Sequence, residues 1–195
     1  MDEEYRYQPL EEERLCQGFL KIHRHRLRHA SFRGGWCPEI VRERIEDLAA
    51  VSVLLYDPAE DAVVLVEQFR VGLMGQVEPP WTLETVSGFC DKTPEAVARR
   101  EVAEETGCVL RALYPIGAFF VSPGISVERI HLFLGEVDSG QAGGIHGLPE
   151  EGEEIRVVVM PRAQALAECF GRINSTSALI ALQWLALARR DGRLA

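Results

Sequence analysis

The sequence predicts an α+β fold in which a mixed β-sheet is sandwiched between helices, preceded by a small N-terminal β appendage. Residues 49–57 and 62–70 are β-rich runs joined by a short polar turn, which is the pattern of a hairpin. Further strand-like and helical runs follow in mixed order without a regular βαβ repeat, which favours a mixed sheet. With 195 residues and 47% hydrophobic content, the chain is long enough for one well-buried domain plus a smaller appendage.

The boundary between the two parts is predicted at residue 49. Residues 1–48 form the appendage, in which 18–28 and 36–45 resemble short extended segments. The stretch between these segments contains two adjacent glycines that suit positive φ. The main domain, residues 49–195, is predicted to contain three more strands and three helices. The strands are placed at 115–121, 130–137 and 155–160, and the helices at 94–106, 162–170 and 175–190.

A basic run in the appendage, HRHRLRH from His23 to His29, is typical of a solvated strand face. A metal site built from His23, His25 and His29 is the weaker interpretation. Within the run no carboxylate or cysteine accompanies the histidines, and metal sites generally combine such ligands.

Composition excludes several classes of protein. The net charge of −9 argues against a nucleic-acid-binding module, because such a surface needs many unopposed basic side chains. Five cysteines, odd in number and never spaced as C-x-x-C, suggest neither a disulfide framework nor a zinc site. The acidic N-terminus lacks the apolar core of a secretory signal, and the most apolar stretch, 178–188, is too short to span a bilayer. We therefore expect a soluble cytoplasmic protein with no membrane partner.

The helix over 94–106 is the most clearly delimited element. Thr93 can cap it, Pro94 suits its first position, and Gly107 can close its C-terminus. Inside it Glu101, Glu104 and Glu105 are spaced i, i+3 and i+4, so their carboxylates share one face.

These three acids repel one another without basic residues one turn further on to compensate them. A divalent cation would relieve the repulsion, and Mg²⁺ prefers closely placed carboxylate oxygens. A solvated acidic helix face is the alternative interpretation of the same pattern.

Residues 88–108, GFCDKTPEAVARREVAEETGC, resemble the Nudix box, G-x5-E-x7-R-E-U-x-E-E-x-G-U. The second half matches at every charged and glycine position, with Cys108 where a bulky aliphatic residue is usual. In the first half Gly88 lies two residues closer to Arg100 than in the pattern, and the first glutamate is missing. In the family that glutamate is mainly a partner of the box arginine, and Asp91 or Glu95 could replace it.

The resemblance narrows to the ADP-ribose pyrophosphatase subgroup and covers roughly residues 18–190. Pro123, in SPGISVER, stands where that subgroup has its marker proline, and VLVEQFR, WTLETVSG and SALIALQWL are also similar to it. The resemblance implies hydrolysis of ADP-ribose to AMP and ribose 5-phosphate with Mg²⁺, for which Mn²⁺ could substitute. It also implies a homodimer.

Roles for individual residues follow from the same resemblance. It implies metal ligation by Glu101, Glu105, Glu153 and the carbonyl of Ser87. Glu151 is implied as the general base. Because a bound metal ion lowers the pKa of its water, Glu151 would need to be only a modest proton acceptor. The catalytic group is completed by Glu104 as a supporting acid and by Arg100. The alternative for Glu151 and Glu153 is an ordinary acidic loop.

Substrate contacts are implied for a larger set of residues. Arg70 would bind phosphate through its planar, permanent charge. Phe19 and Arg42 would meet the adenine from the other subunit of a domain-swapped dimer. The alternatives are a strand-end arginine, a packing aromatic residue and a surface charge. The diphosphate and terminal ribose would be lined by Phe89, Ser122, Pro123, Gly124 and Glu128, although Pro123 alone could be a turn residue.

Two other functions stay open at this level. A Nudix hydrolase of another sugar nucleotide, such as GDP-mannose or a UDP-sugar, would differ only in a few pocket contacts. A non-catalytic Nudix-fold ligand sensor is favoured by the altered first half of the box. The complete set of acids at positions 101, 105, 151 and 153 argues against that sensor.

Overall fold

The computed structural model describes residues 3–46 and 49–193. The chain divides into two compact units. The first unit comprises Met1–Ala49 together with Phe120–Arg129, and the second comprises Ala50–Phe119 together with Ile130–Ala195. The predicted division into residues 1–48 and 49–195 stays a prediction.

The first unit contains a three-stranded antiparallel sheet in the order β1-β2-β3. Its strands are β1 (Tyr7–Gln17), β2 (Lys21–His29) and β3 (Ile40–Glu46). The sequence analysis predicted the second and third strands but missed β1, whose side chains are exposed along its whole length. Cross-strand charge explains why so polar a segment pairs: Arg24 forms ion pairs with Glu13 on β1 and Glu43 on β3.

The second unit is built on an eight-stranded sheet in the order β10-β11-β5-β4-β9-β8, with β6 paired to β5 and β7 paired to β4. The predicted hairpin is β4 (Ala49–Asp57) and β5 (Ala62–Phe69). The remaining strands are β6 (Trp81–Glu84), β7 (Val86–Phe89), β8 (Ala112–Phe120), β9 (Arg129–Glu136), β10 (Ile145–His146) and β11 (Ile155–Pro161).

Alternation along the central hairpin creates two separate cores. On β4, Val53 and Leu55 belong to the core that also contains Val102 of helix α1 (Pro94–Thr106). The intervening Leu54 lies in the opposite core, with side chains of α2 (Arg162–Ala167) and α3 (Thr176–Arg190). Because side chains alternate between the faces of a strand, a buried sheet with helices on both faces requires this continuous apolar run. The predicted fold class is confirmed.

Helix α1 and the hairpin agree closely with the sequence prediction, whereas β6, β7 and β10 were missed. These strands have only two to four residues, too few to show an alternating pattern. Among the described residues no helix is long and apolar enough to cross a membrane. All five cysteines are free thiols.

Candidate active site

Helix α1 begins and ends as its sequence predicts, with one difference. Thr93 occupies the N-cap position, but its hydroxyl makes no capping hydrogen bond within the described chain. Its carbonyl instead accepts hydrogen bonds from the N–H groups of Ala96 and Val97, at 3.0 and 3.1 Å. Gly107 ends the helix in the left-handed region, with φ 66°. The start of the helix is therefore fixed at Pro94, and this determines on which face each glutamate lies.

The three acids of α1 differ strongly in exposure. The side chain of Glu104 is 44% exposed, whereas that of Glu101 is 13% exposed. Glu105 as a whole residue is only 3% exposed. The interpretation of the pattern as a solvated acidic face is thus wrong for Glu101 and Glu105.

Strand β7 approaches this face of the helix closely. The backbone N–H of Ser87 donates a hydrogen bond to Oε2 of Glu105, at 3.3 Å. A Cβ placed on Gly88 would overlap with the carboxylate of Glu101. The carboxylate of Glu101 thus packs directly on the strand backbone, and any side chain larger than glycine at position 88 would displace it.

A third acid, Glu153, completes the cluster from the loop before β11. Gly147, with φ 101°, lies at this loop, and a Cβ there would be 2.7 Å from the carbonyl oxygen of Glu153. The charge of Glu153 raises the pKa of both Glu101 and Glu105. The negative charge of Glu153 therefore belongs to the electrostatic surroundings of the two helix acids.

Burial is the largest cause of the raised pKa values of Glu101 and Glu105. It raises the pKa of Glu105 to about 9, aided by the negative charges of Glu101 and Glu153 and opposed by the hydrogen bond from Ser87. Burial also raises the pKa of Glu101, against the opposing hydrogen bond from Arg100. Groups shifted this way are typical of sites that bind a cation or transfer protons.

Arg100 is held by several acids at once. Its Nη1 donates to both carboxylate oxygens of Asp91, each at 3.0 Å, and its Nη2 donates to Oε1 of Glu101 at 2.7 Å. Its Nε lies 3.9 Å from Glu104. Asp91, from the shortened loop, thus occupies the role of the missing box glutamate as the arginine's partner. The hydrogen bond from Arg100 in turn lowers the pKa of Asp91.

Arg70, directly after β5, points towards β7. Its Nε and Nη2 donate to Oε2 of Glu84, at 2.9 and 2.7 Å, and its Nη2 lies 3.4 Å from Oγ of Ser87. Burial raises the pKa of Glu105, and the positive charge of Arg70 opposes part of that rise. Sequence reasoning missed Glu84, because nothing in WTLETVSG distinguishes a glutamate that orients an arginine from an ordinary strand residue.

The other predicted site residues are distributed over both units. In the second unit Phe89 is 54% exposed at the end of β7, and the side chain of Glu151 lies outside the described residues. In the first unit Phe19 is 82% exposed, and Arg42 on β3 donates to the carbonyl of Val41 at 2.7 Å.

The segment between β8 and β9 carries the remaining predicted substrate residues and belongs to the first unit. The carbonyl of Ser122 accepts hydrogen bonds from the N–H groups of Ile125 and Ser126, which folds the chain back after Pro123 and Gly124. Glu128 follows, its N–H bonded to Oγ of Ser126 at 2.9 Å. Pro123 therefore does stand in a turn, and a role in substrate binding stays a prediction.

Comparison with known proteins identifies the class. The NUDIX domain model matches residues 47–177, which is more than half of the chain. A solved structure described as an ADP compounds hydrolase has the same fold, with a TM-score of 0.72 at 18% identity, covering 96% of this chain and 97% of that chain. The chain belongs to the Nudix family, whose hydrolases use divalent metal ions.

Curated relatives are similar over most of their length. An ADP-ribose pyrophosphatase of Haemophilus influenzae is 46% identical over 184 residues, 91% of this chain and 85% of the relative. An ADP-ribose pyrophosphatase of Escherichia coli K12 is 42% identical over 178 residues, covering 90% and 85%. A GDP-mannose pyrophosphatase of Cronobacter sakazakii is 35% identical over 159 residues, covering 76% and 81%.

Proposed function

We propose that this Nudix protein hydrolyses the diphosphate bond of ADP-ribose to AMP and ribose 5-phosphate, with Mg²⁺ as cofactor and Mn²⁺ as a substitute. The observation that carries the proposal is that Glu101 and Glu105 lie against the backbone of β7, where burial and the negative charge of Glu153 raise the pKa of both carboxyls. The two relatives named ADP-ribose pyrophosphatase, 42–46% identical over most of the chain, support the choice of substrate.

The donor set fits a hard divalent cation. Glu101, Glu105 and Glu153 offer carboxylate oxygens, and the carbonyl of Ser87 offers a fourth, which is the ligand type that Mg²⁺ prefers. Without a cation, burial and mutual repulsion raise the pKa of Glu105 to about 9, so at neutral pH this carboxyl keeps its proton. When bound, Mg²⁺ would neutralise diphosphate charge and lower the pKa of a water.

The neighbouring residues prepare this site. Asp91 accepts hydrogen bonds from Nη1 of Arg100, and Nη2 of Arg100 donates to Glu101. Arg100 therefore orients the carboxylate of Glu101. Glu104, more exposed than the two ligands, adds negative charge nearby. We assign proton acceptance to Glu151, on the basis of the family resemblance.

Arg70 is the proposed contact for the substrate phosphates. Its guanidinium is oriented by two hydrogen bonds to Glu84, and its Nη2 is directed at Ser87, next to the acid cluster. A planar cation held in this way suits recognition of phosphate oxygens. Contacts to adenine, ribose and diphosphate are proposed for Phe19, Arg42, Phe89, Ser122, Pro123, Gly124 and Glu128, the first two from a second subunit of a homodimer. A cytoplasmic location also stays a prediction.

A substrate panel tests the proposal. The purified protein is incubated with MgCl₂ and ADP-ribose, GDP-mannose, UDP-glucose or NADH, and the products are separated by chromatography. We expect AMP and ribose 5-phosphate from ADP-ribose, with turnover reduced by on the order of a hundredfold or more in Glu105→Gln. The matched control is Glu95→Gln, which removes an exposed acid from the first turn of the same helix and should keep full activity.

The same panel separates the other interpretations. The relative named GDP-mannose pyrophosphatase, at 35% identity, makes GDP-mannose the second candidate substrate. Faster turnover of GDP-mannose than of ADP-ribose would replace the proposed substrate with that one. Absence of turnover for all four compounds, with retained Mg²⁺-dependent ligand binding, would instead indicate a sensor.

A further inference from the structure

Two histidines of the N-terminal sheet have carboxylate partners on neighbouring strands. His23 and His25 lie two residues apart on β2, so both side chains leave the same face of the sheet. Glu12 pairs with His25 from β1, and Glu46 ends β3 on the other side. The fold therefore supplies the carboxylates that the run from 23 to 29 lacks in sequence.

The four side chains lie within a small volume. Oε1 of Glu12 is 2.5 Å from Nδ1 of His23, and its Oε2 is 4.0 Å from Nδ1 of His25. Oε1 of Glu46 is 3.2 Å from Nε2 of His25. The imidazole rings stack with centroids 6.2 Å apart and an interplanar angle of 29°. One ligand atom each of His23, His25 and Glu46 lies within 4.8 Å of the other two.

Burial separates this group from the ion pairs on the rest of the sheet. The side chains of His23 and His25 are each 14% exposed and that of Glu46 is 17% exposed, whereas Glu12 is 58% exposed. Two imidazoles and a carboxylate, without a thiolate, form a donor set that suits Zn²⁺ and related first-row ions and does not suit Mg²⁺.

We propose that His23, His25 and Glu46 bind a divalent transition-metal ion of the Zn²⁺ type, at a site made of other residues than the acid cluster of α1. Glu12 faces Nδ1 of both rings, which leaves Nε2 of each for the ion. A carboxylate behind a metal-bound imidazole fixes the ring and increases its basicity. Such an ion would connect the middle strand of the sheet to β3, with Glu12 extending the connection to β1.

Two arginines compete with the ion for the same atoms. Nε of Arg14 donates to Nε2 of His23 at 3.2 Å, and Nε of Arg44 donates to Oε1 of Glu46 at 2.6 Å. An ion bound at Nε2 of His23 and Oε1 of Glu46 requires both guanidinium groups to turn away. Replacing both arginines by methionine should therefore strengthen metal binding, an effect that a purely structural ion-pair network would not produce.

The test is calorimetric titration of the full-length protein with ZnCl₂ in excess MgCl₂. The excess Mg²⁺ occupies the acid cluster of α1, and Mg²⁺ binds imidazole only weakly. We expect one Zn²⁺ ion per chain in wild type and at least tenfold weaker binding in the double variant His23→Asn/His25→Asn. The matched control is His29→Asn on the same strand, whose ring contacts the carbonyl of Ala30 and which should bind as wild type does. The variant Arg14→Met/Arg44→Met should bind more tightly.

A second readout identifies the ligands and guards against misfolding. Co²⁺ in place of Zn²⁺ should give a visible absorption band typical of imidazole ligation, present in wild type and absent in the double histidine variant. Circular dichroism establishes that each variant is folded, and Glu46→Gln serves as a milder substitution with the same expected direction. Absence of Zn²⁺ binding in wild type, or binding unchanged by loss of both histidines, would overturn the proposal.

Discussion

The buried carboxyl of Glu105 should make the stability of the metal-free protein depend on pH. Its pKa is about 9 in the folded chain and has the ordinary value of 4.5 when exposed. Because folding raises the pKa of this carboxyl, its contribution to the free energy of unfolding is fully present below pH 4.5. That contribution is lost as the pH rises towards 9. At pH 7, which lies 2.5 units above 4.5, this loss is about 3 kcal/mol, at about 1.4 kcal/mol per unit.

The substitution Glu105→Gln should remove this loss. Glutamine has nearly the same shape, and its carbonyl oxygen can still accept the hydrogen bond from the N–H of Ser87. In EDTA at pH 7 we expect the variant to unfold at a temperature roughly 6–12 °C higher than wild type, since 1 kcal/mol corresponds to about 2–4 °C for a domain of this size.

Thermal unfolding followed by circular dichroism, at intervals from pH 5 to pH 9 in EDTA, measures the effect. The difference between variant and wild type should grow with pH. Glu104→Gln is the control, because the side chain of Glu104 is 44% exposed and its removal should change the unfolding temperature little. Equal destabilisation by Glu105→Gln at every pH would refute the reasoning, since it would mean that the native carboxyl is ionised and favourably paired.

Three further predictions concern the same site. Mg²⁺ must displace the proton of Glu105, so the apparent Mg²⁺ affinity, measured by calorimetry, should rise by up to about tenfold per pH unit between pH 7 and 9, and a pH-independent affinity would contradict this expectation. Asp91→Ala, which leaves Arg100 hydrogen-bonded to Glu101 with only the 3.9 Å contact to Glu104 besides, should lower kcat/KM by about 10–100-fold, whereas an unchanged value would show that Asp91 does not replace the missing box glutamate. Gly88→Ala should displace Glu101 and weaken Mg²⁺ binding, while Gly72→Ala, at a glycine with open space around its Cβ, should not.

Long apolar runs made the central fold predictable. The continuous hydrophobic stretch of β4 and β5, and the sharply bounded helix at 94–106, each satisfied local rules that tertiary contacts did not override. Strand β1 could not be predicted by these rules, because its side chains form ion pairs with β2. Such pairing leaves no periodic apolar pattern in the sequence.

Site prediction had the same limits. The spacing of Glu101 and Glu105 placed their carboxylates on one face, but it could not show that β7 buries them. Asp91 was one of two alternatives for the partner of Arg100, and only the path of the shortened loop decides between them. Glu12 and Glu46 could not be connected with the histidines, because register across three strands is a tertiary property.

The most direct test of the central claim combines metal binding and hydrolysis on the same samples. Mn²⁺ binding is measured by electron paramagnetic resonance, and release of AMP from ADP-ribose is measured in parallel, for wild type, Glu101→Gln, Glu105→Gln, Glu153→Gln and the control Glu95→Gln. The account predicts that the first three variants lose bound Mn²⁺ and turnover together, while the control keeps both. Turnover at the wild-type rate in Glu105→Gln would contradict it.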